Sequence, residues 1–292
     1  MRDFFQHVVI GLSNGGIYAS LALALVLIYR ATRVINFAQG EMAMFTTFIA
    51  WSLLDRGLPY WGAFFATLAI AFGAGVALER IVIRPVERAP ALIAVMVTIG
   101  LLIALNGAAF WIWGGEPKSF PSAFSTRTVD VGGVVFSIQD AGTIGVTIGA
   151  VALLWAFFRY TKLGLALRAA AVNPEESRLV GVRVGWMLAL GWGLAAVLGA
   201  VSGMLIAPAL FLDPNMMRPV LLYAFAAAVL GGLDSPVGAV VGALVLGLGL
   251  ELLTAYVDAL AELQLPIAFA IILAVLLVRP AGLLGRPAVS RV

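Results

Sequence analysis

Apolar runs of membrane-crossing length follow one another along almost the whole chain, parted by short polar interruptions. A helix needs about 20 apolar residues to cross the hydrocarbon core of a bilayer. Residues 8–29, 37–54, 60–78, 91–113, 142–160 and 186–209 meet or approach that length. The last third is less regular. The run 220–233 is short, 237–253 follows the breaker Asp234-Ser235-Pro236, and 265–278 is short again. The pattern predicts an all-α polytopic membrane protein, a single transmembrane domain over residues 1–292. It has nine crossings if every run spans and eight if one short run is re-entrant.

Two connections are long enough to carry structure of their own. In the loop 114–141, two β-prone runs, Thr128-Val-Asp-Val131 and Val134-Val-Phe-Ser-Ile138, flank Gly132-Gly133. That arrangement predicts a hairpin closed by a primed turn. An isolated hairpin is marginal in water, so this one is expected to rest on the membrane domain or on a partner. The loop 159–185 contains Asn173-Pro174-Glu175-Glu176, with an amide at the N-cap, proline in the first turn and acids at the positive end of the helix dipole. Gly181 suits the position just past a helix end. A helix of about two turns over 174–180 is therefore expected. On spacing alone it is either an ordinary interfacial helix or a docking element.

Composition agrees with lipid contact. Hydrophobic residues make up 62% of the 292 and charged residues only 11%, against about 25% in a soluble domain. The loops around 30–33, 80–88 and 159–183 and the tail 279–291 hold thirteen of the 18 lysines and arginines. By the positive-inside rule these belong to the cytoplasm, which places the C-terminus there and, with nine crossings, the N-terminus outside. The loop 114–141 is then extracytoplasmic. No basic stripe with interleaved aromatics is present, so nucleic acid is not an expected partner. The first run lacks a small-residue cleavage site and is too long for a signal peptide, so it is kept as a span.

Candidate chemistry is sparse. The chain has no cysteine and one histidine, His7, which leaves no expected metal site and no thiol or histidine-based catalytic set. There is no GxxxxGK[ST], HExxH or GxSxG pattern, so no catalytic residue and no ATP site of its own is expected. Interruptions at Asn36–Gly40 and at Gly231-Gly232-Leu-Asp234-Ser-Pro236 have the look of broken helices that present backbone to a pathway. Similar placement in the first and last thirds raises internal duplication as a hypothesis. Translocation-path candidates are Asn36, Gln39, Gly40, Glu41, Asn106, Gly231, Gly232 and Asp234. Asn14 and Asn106 also suit interhelical hydrogen bonds, and Glu79 is expected at an interface beside arginines. Glu251, after a glycine-rich run, stands between the structural and the functional reading. Glycine pairs four apart at 11/15, 145/149, 199/203 and 238/242 predict close helix approach.

Several ordered stretches resemble the H-type permease of bacterial branched-chain amino acid ABC importers. They are Gly11-Leu-Ser-Asn-Gly-Gly-Ile-Tyr-Ala-Ser-Leu-Ala-Leu-Ala-Leu25, Arg33-Val-Ile-Asn-Phe-Ala-Gln-Gly-Glu41, the stretch from Gly164 to Gly181, and that from Ala224 to Leu244. The likeness covers essentially the whole chain. Gln39 stands where the family often has His, and Ser177 where Ala is common. The resemblance implies a multi-pass subunit in the bacterial cytoplasmic membrane. Its partners would be a second homologous permease, two cytoplasmic ATPases that bind ATP and Mg, and an extracytoplasmic amino-acid-binding protein. No cofactor is expected on this chain. The ATPase-docking segment would comprise Asn173, Pro174, Glu175, Glu176, Ser177, Arg178, Leu179, Val180 and Gly181, supported by Arg168. Glu175, Glu176 and Arg178 would make polar contacts, and Leu179 and Val180 the apolar anchor. The implied cargo is Leu, Ile or Val. Amides, urea or another small polar solute in the same fold, or a self-sufficient channel or secondary transporter, stand as alternatives.

Overall fold

The structure is a computed structural model and describes residues 2–87, 89–131, 134–279 and 281–285. Arg88, the Gly132-Gly133 turn and the tail arginines Arg286 and Arg291 lie outside the described residues. In chain order the helices are α1 (Arg2–Thr32), α2 (Gln39–Asp55), α3 (Tyr60–Leu78), α4 (Ala91–Trp113), α5 (Ile138–Tyr160), α6 (Lys162–Val172), α7 (Pro174–Leu179), α8 (Val184–Leu210), α9 (Met217–Gly231), α10 (Pro236–Tyr256) and α11 (Gln264–Val278). Between α4 and α5 lie strands β1 (Thr128–Val131) and β2 (Val134–Ser137). Among the described residues, seven helical stretches are long and apolar enough to cross a bilayer. One shorter apolar helix is α9, with 15 residues. Helix α2, with 17 residues and Gln39, Glu41 and Asp55 at its ends, is not among these apolar helices, although the sequence pattern reads its run as a span. The irregular last third resolves into α9, α10 and a continuous helical stretch Ala259–Val278, longer than the run read from sequence.

The hairpin forms in the expected register, antiparallel with Thr128 opposite Ser137 and Val131 opposite Val134. Its exit is tied to α5 by a local box. The Ser137 hydroxyl lies 2.5 Å from Asp140 Oδ2 and accepts from the Asp140 N–H at 3.0 Å. This satisfies amide groups that a helix start otherwise leaves without partners.

The chain divides into two compact units. One comprises Met1–Val26, Ser122–Ile148 and Arg218–Val292. Within it, α1 and α10 meet backbone to backbone: a β-carbon on Gly15 would sit 3.0 Å from the Leu244 Cα, and one on Gly11 2.9 Å from the Leu248 Cα. Gly238 and Gly242 likewise bring α10 against the end of α9. The pair Gly145/Gly149 does not follow this rule, because a β-carbon at either position meets nothing within 4 Å. Small residues permit close approach but do not compel it.

The other unit comprises Leu27–Pro121 and Gly149–Met217. Its centre is α8, nearly every turn of which is buried from Val184 to Ala207. Helix α3 approaches it at Gly75, where a β-carbon would lie 2.6 Å from the Trp192 carbonyl oxygen. Helix α2 approaches at Gly199 and Gly203, against Gln39, Ala43 and Thr47. Beyond α3 the backbone widens into a π turn at Glu79–Ile83 and then tightens into a 3₁₀ turn at Arg84–Val86. Pro85 has no N–H to continue the α ladder, which accounts for the break at this point. Both ends of the unit carry cation–aromatic anchors of the kind found at membrane interfaces. The Arg80 guanidinium stacks 3.6 Å from the Trp186 ring centroid, and the Lys118 ammonium sits 4.8 Å from that of Trp51.

Candidate functional site

The segment after α5 holds more order than its sequence suggests. Where a loop with one short helix was expected over 159–185, two helices stand in succession, α6 and α7. The Thr161 hydroxyl caps α6 by accepting from the Gly164 N–H at 2.9 Å. That threonine before a helical run was the signal for α6 in the sequence. Gly164 presses against the backbone of Phe157 and Phe158, which folds α6 back on the end of α5. Leu167 and Ala170 of α6 then join Val184, Met187 and Leu188 of α8 in one buried apolar cluster.

Helix α7 starts as its sequence predicts. The Asn173 side-chain oxygen accepts from the Glu176 N–H at 3.2 Å, and Pro174 occupies the first turn. It ends at Leu179, one residue short of the expected 180, and Gly181 takes the left-handed conformation at φ 85°. Ser177 alone of this short helix is buried, and its carbonyl accepts from the Val182 N–H at 2.9 Å. The opposite face is open: Glu175 and Glu176 are exposed, Leu179 is 87% exposed and Val180 is 79% exposed. Two bare aliphatic side chains thus stand beside two acids on the open face. Arg178 lies 3.9 Å from Glu87, a loose surface pair. Arg168 is half-buried, and its Nε has no hydrogen-bond partner among the described residues.

A second set of candidate residues forms a polar chain inside the same unit. Asn36 is fully buried, donates to Gln39 Oε1 at 3.2 Å and accepts from the Ala38 N–H at 3.1 Å. Gln39, also fully buried, donates to the Ala195 carbonyl at 2.9 Å, which ties the start of α2 to the middle of α8. Gly40 is buried beside it in the first turn of α2. Glu41, 3% exposed, accepts from the Asn106 amide at 3.4 Å, and that amide donates more strongly to the Pro214 carbonyl at 2.8 Å. Asn36, Gln39, Glu41 and Asn106 therefore act first as internal cross-links. In hydrocarbon surroundings each such amide needs a partner, and here the protein supplies it.

Glu79 departs from expectation. It was assigned to an interface beside arginines, yet it is 1% exposed, and its Oε2 accepts no hydrogen bond among the described residues. The π turn carries it inward, with Arg84 and Arg80 close enough to act on its charge.

Gly231, Gly232 and Asp234 belong to the other unit and mark the break between α9 and α10. Here the backbone groups find partners within the chain. The Leu230 and Gly231 carbonyls accept from the Leu283 and Leu284 N–H groups at 2.8 and 3.0 Å. The Ser235 hydroxyl caps α10 by accepting from Gly238 at 3.0 Å. Sequence reasoning missed one pairing in this unit: His7 Nδ1 lies 3.0 Å from Glu251 Oε1. The two residues are 244 positions apart, and no one-dimensional pattern links them.

Comparison with known proteins covers nearly the whole chain. Residues 8–276 match the family described as branched-chain amino acid transport system / permease component. The chain is similar to the high-affinity branched-chain amino acid transport system permease protein LivH of Escherichia coli (strain K12), with 32% identity over 99% of this chain and 98% of that one. It has the same identity and the same two coverages with the permease protein BraD of Pseudomonas aeruginosa. A probable branched-chain amino acid transport permease protein LivH of Methanocaldococcus jannaschii is 28% identical over 91% of this chain and 87% of its own length.

Proposed function

We propose, from the premise that this chain belongs to the family of branched-chain amino acid transport system permease components, that it carries leucine, isoleucine or valine across the bacterial cytoplasmic membrane as one subunit of an ATP-driven importer. It is a multi-pass transport subunit. Its partners in this reading are a second homologous permease, two cytoplasmic ATPases that hold ATP and Mg, and an extracytoplasmic binding protein that selects the cargo. The chain itself contributes no ATPase site and no resident cofactor.

The observation that carries the coupling role is α7: a capped two-turn helix whose buried side is Ser177 and whose open side is Glu175, Glu176, Leu179 and Val180. Burying the two aliphatic side chains in an ATPase groove is worth about 1.5 to 3 kcal/mol each. Helix α7 connects through α6 and the Leu167–Leu188 cluster to the base of α8, and α8 holds α2 through Gln39. Closure of the ATPase pair then moves a continuous packed path rather than a loose loop, the requirement for alternating access. Selection outside by the binding protein explains why so few polar groups line the spans. The permease needs a passage and not a tight site.

The test is leucine uptake into proteoliposomes containing this chain alone, or the chain with its co-purified subunits and saturated binding protein, with and without lumenal ATP. Uptake is expected only in the full assembly with ATP. Uptake by the chain alone identifies a channel or gradient-driven carrier and removes the docking role of α7. Co-purifying ATPases with uptake of an amide or urea in place of leucine keeps the architecture and changes the cargo.

A further inference from the structure

A cavity of about 410 Å³ lies inside the unit built around α8, at the end that carries α7. This volume falls within the range of about 300 to 1,000 Å³ typical of small-molecule sites. Two of the residues that line it carry buried polar atoms of opposite kind without partners among the described residues: the Glu79 Oε2 acceptor and the Trp192 Nε1 donor. Both side chains are 1% exposed. A buried polar atom that forgoes a hydrogen bond costs about 1 to 3 kcal/mol, so a ligand that satisfies both atoms recovers that energy. Arg30 and Arg33 also line the cavity, from the end of α1 and the turn after it. A second acid, Glu87, lines it too, with Thr32, Asn36 and Thr98, and most of the remaining wall is aliphatic, including Ile28, Ile83 and Leu188.

We infer that this cavity binds a free α-amino acid with an aliphatic side chain on the cytoplasmic side and thereby restrains transport. The inference rests on the transport reading above. The charge pattern selects the ligand class. A simple anion such as phosphate meets the Glu79 and Glu87 carboxyls, and a simple cation meets two arginines. A zwitterion offers an ammonium donor to Glu79 and a carboxylate to the arginines and the Trp192 N–H, while its side chain fills the aliphatic wall. Position selects the consequence. Val172 and Pro174, the residues on either side of the α7 N-cap, line the same cavity, as do Val184 and Leu188 of α8. An occupant therefore bridges the end of α1, the π turn after α3 and the docking segment, and holds them in one arrangement. Accumulated product inside the cell then slows its own import, with an affinity far weaker than that of the binding protein outside.

The experiment uses the complete assembly in proteoliposomes with ATP sealed in the lumen, so that only complexes with their ATPases inside turn over. Initial uptake of labelled leucine from saturated binding protein is measured against unlabelled leucine sealed in the lumen. Wild type is expected to slow about fivefold when lumenal leucine reaches about four times its Kd. Glu79→Gln keeps the side-chain shape and removes the charge, and Ala94→Leu fills the cavity from α4. Each is expected to match wild type with an empty lumen and to lose the inhibition. If Glu79→Gln does not assemble, Ala94→Leu decides alone. Wild-type uptake that ignores lumenal leucine overturns the inference and leaves the transport reading intact, as does inhibition that persists in the assembled variants. No leucine uptake with an empty lumen defeats the transport reading first and this inference with it.

Discussion

At Gly232 the backbone adopts φ 109°, and a β-carbon there would lie 2.7 Å from the Gly285 nitrogen and 2.8 Å from the Ala281 carbonyl oxygen. Neither atom belongs to a movable side chain, so any other residue strains the backbone and displaces the segment laid across the α9 end. The strain alone is worth about 1 to 3 kcal/mol. At Gly115 the obstruction is only the Phe110 ring, which can turn aside. Gly232→Val is expected to lower the yield of monodisperse protein extracted in detergent several-fold, and Gly115→Val to leave it near wild type. Equal yields would show that the tail segment does not depend on this close contact. The close contact gives Gly232 a packing role, separate from the reading of 231–236 as a pathway element. The residue scale is also where sequence reading was weakest. Asn36, Gln39, Glu41 and Asn106 stood out as costly polar groups in apolar runs, yet only the folded chain shows that Gln39 reaches the Ala195 carbonyl and that Asn106 joins Glu41 to the Pro214 carbonyl.

Helix α7 has six residues and cannot persist by itself, because nucleating a helix costs more than so few hydrogen bonds return. Its order depends on the Asn173 cap and on its neighbours. Asn173→Ala is expected to cost about 1 kcal/mol of local helix stability. It should reduce ATPase co-purification and ATP-driven uptake together, while Asn173→Asp retains both. The double variant Glu175→Arg with Arg178→Glu should abolish ATPase co-purification without loss of membrane insertion. The Arg178–Glu87 pair that it breaks is a 3.9 Å contact between partly exposed side chains, and such pairs add about 0 to 1 kcal/mol. Undiminished co-purification of the double variant would refute the docking assignment. At this scale the sequence was most readable. The cap, the proline, the acids and Gly181 each act within a few residues, so their effect survives without tertiary context. Helix α6 was overlooked because its apolar face, Leu167 and Ala170, makes sense only against α8.

For the whole molecule, sidedness is open to a direct measurement because the chain contains no cysteine. Single cysteines at Leu179 in α7 and at Thr128 in β1, both exposed, report on the two faces with no background. A membrane-impermeant thiol reagent is expected to label Thr128→Cys in intact cells and Leu179→Cys only after permeabilisation. Labelling of both from outside would invert the positive-inside assignment. The arginine-rich connections that support that assignment also flank the cavity beside Glu79, so its outcome bears on which side supplies the ligand.

The sequence by itself determined the class of the molecule, the position of most crossings, the hairpin and the short capped helix α7. These follow from hydrocarbon thickness, charge asymmetry and cap chemistry, all of which act locally along the chain. The tertiary structure alone decided which glycine pairs meet a neighbouring helix, which of the rare polar residues hold the bundle together, and that His7 faces Glu251 across 244 positions. It also decided that Glu79 turns inward onto a cavity instead of resting at the interface. Such outcomes depend on the rotation of each helix about its axis. A span that is apolar on nearly every face carries no stripe to specify that rotation, so close packing at small residues and the pairing of buried polar groups must set it.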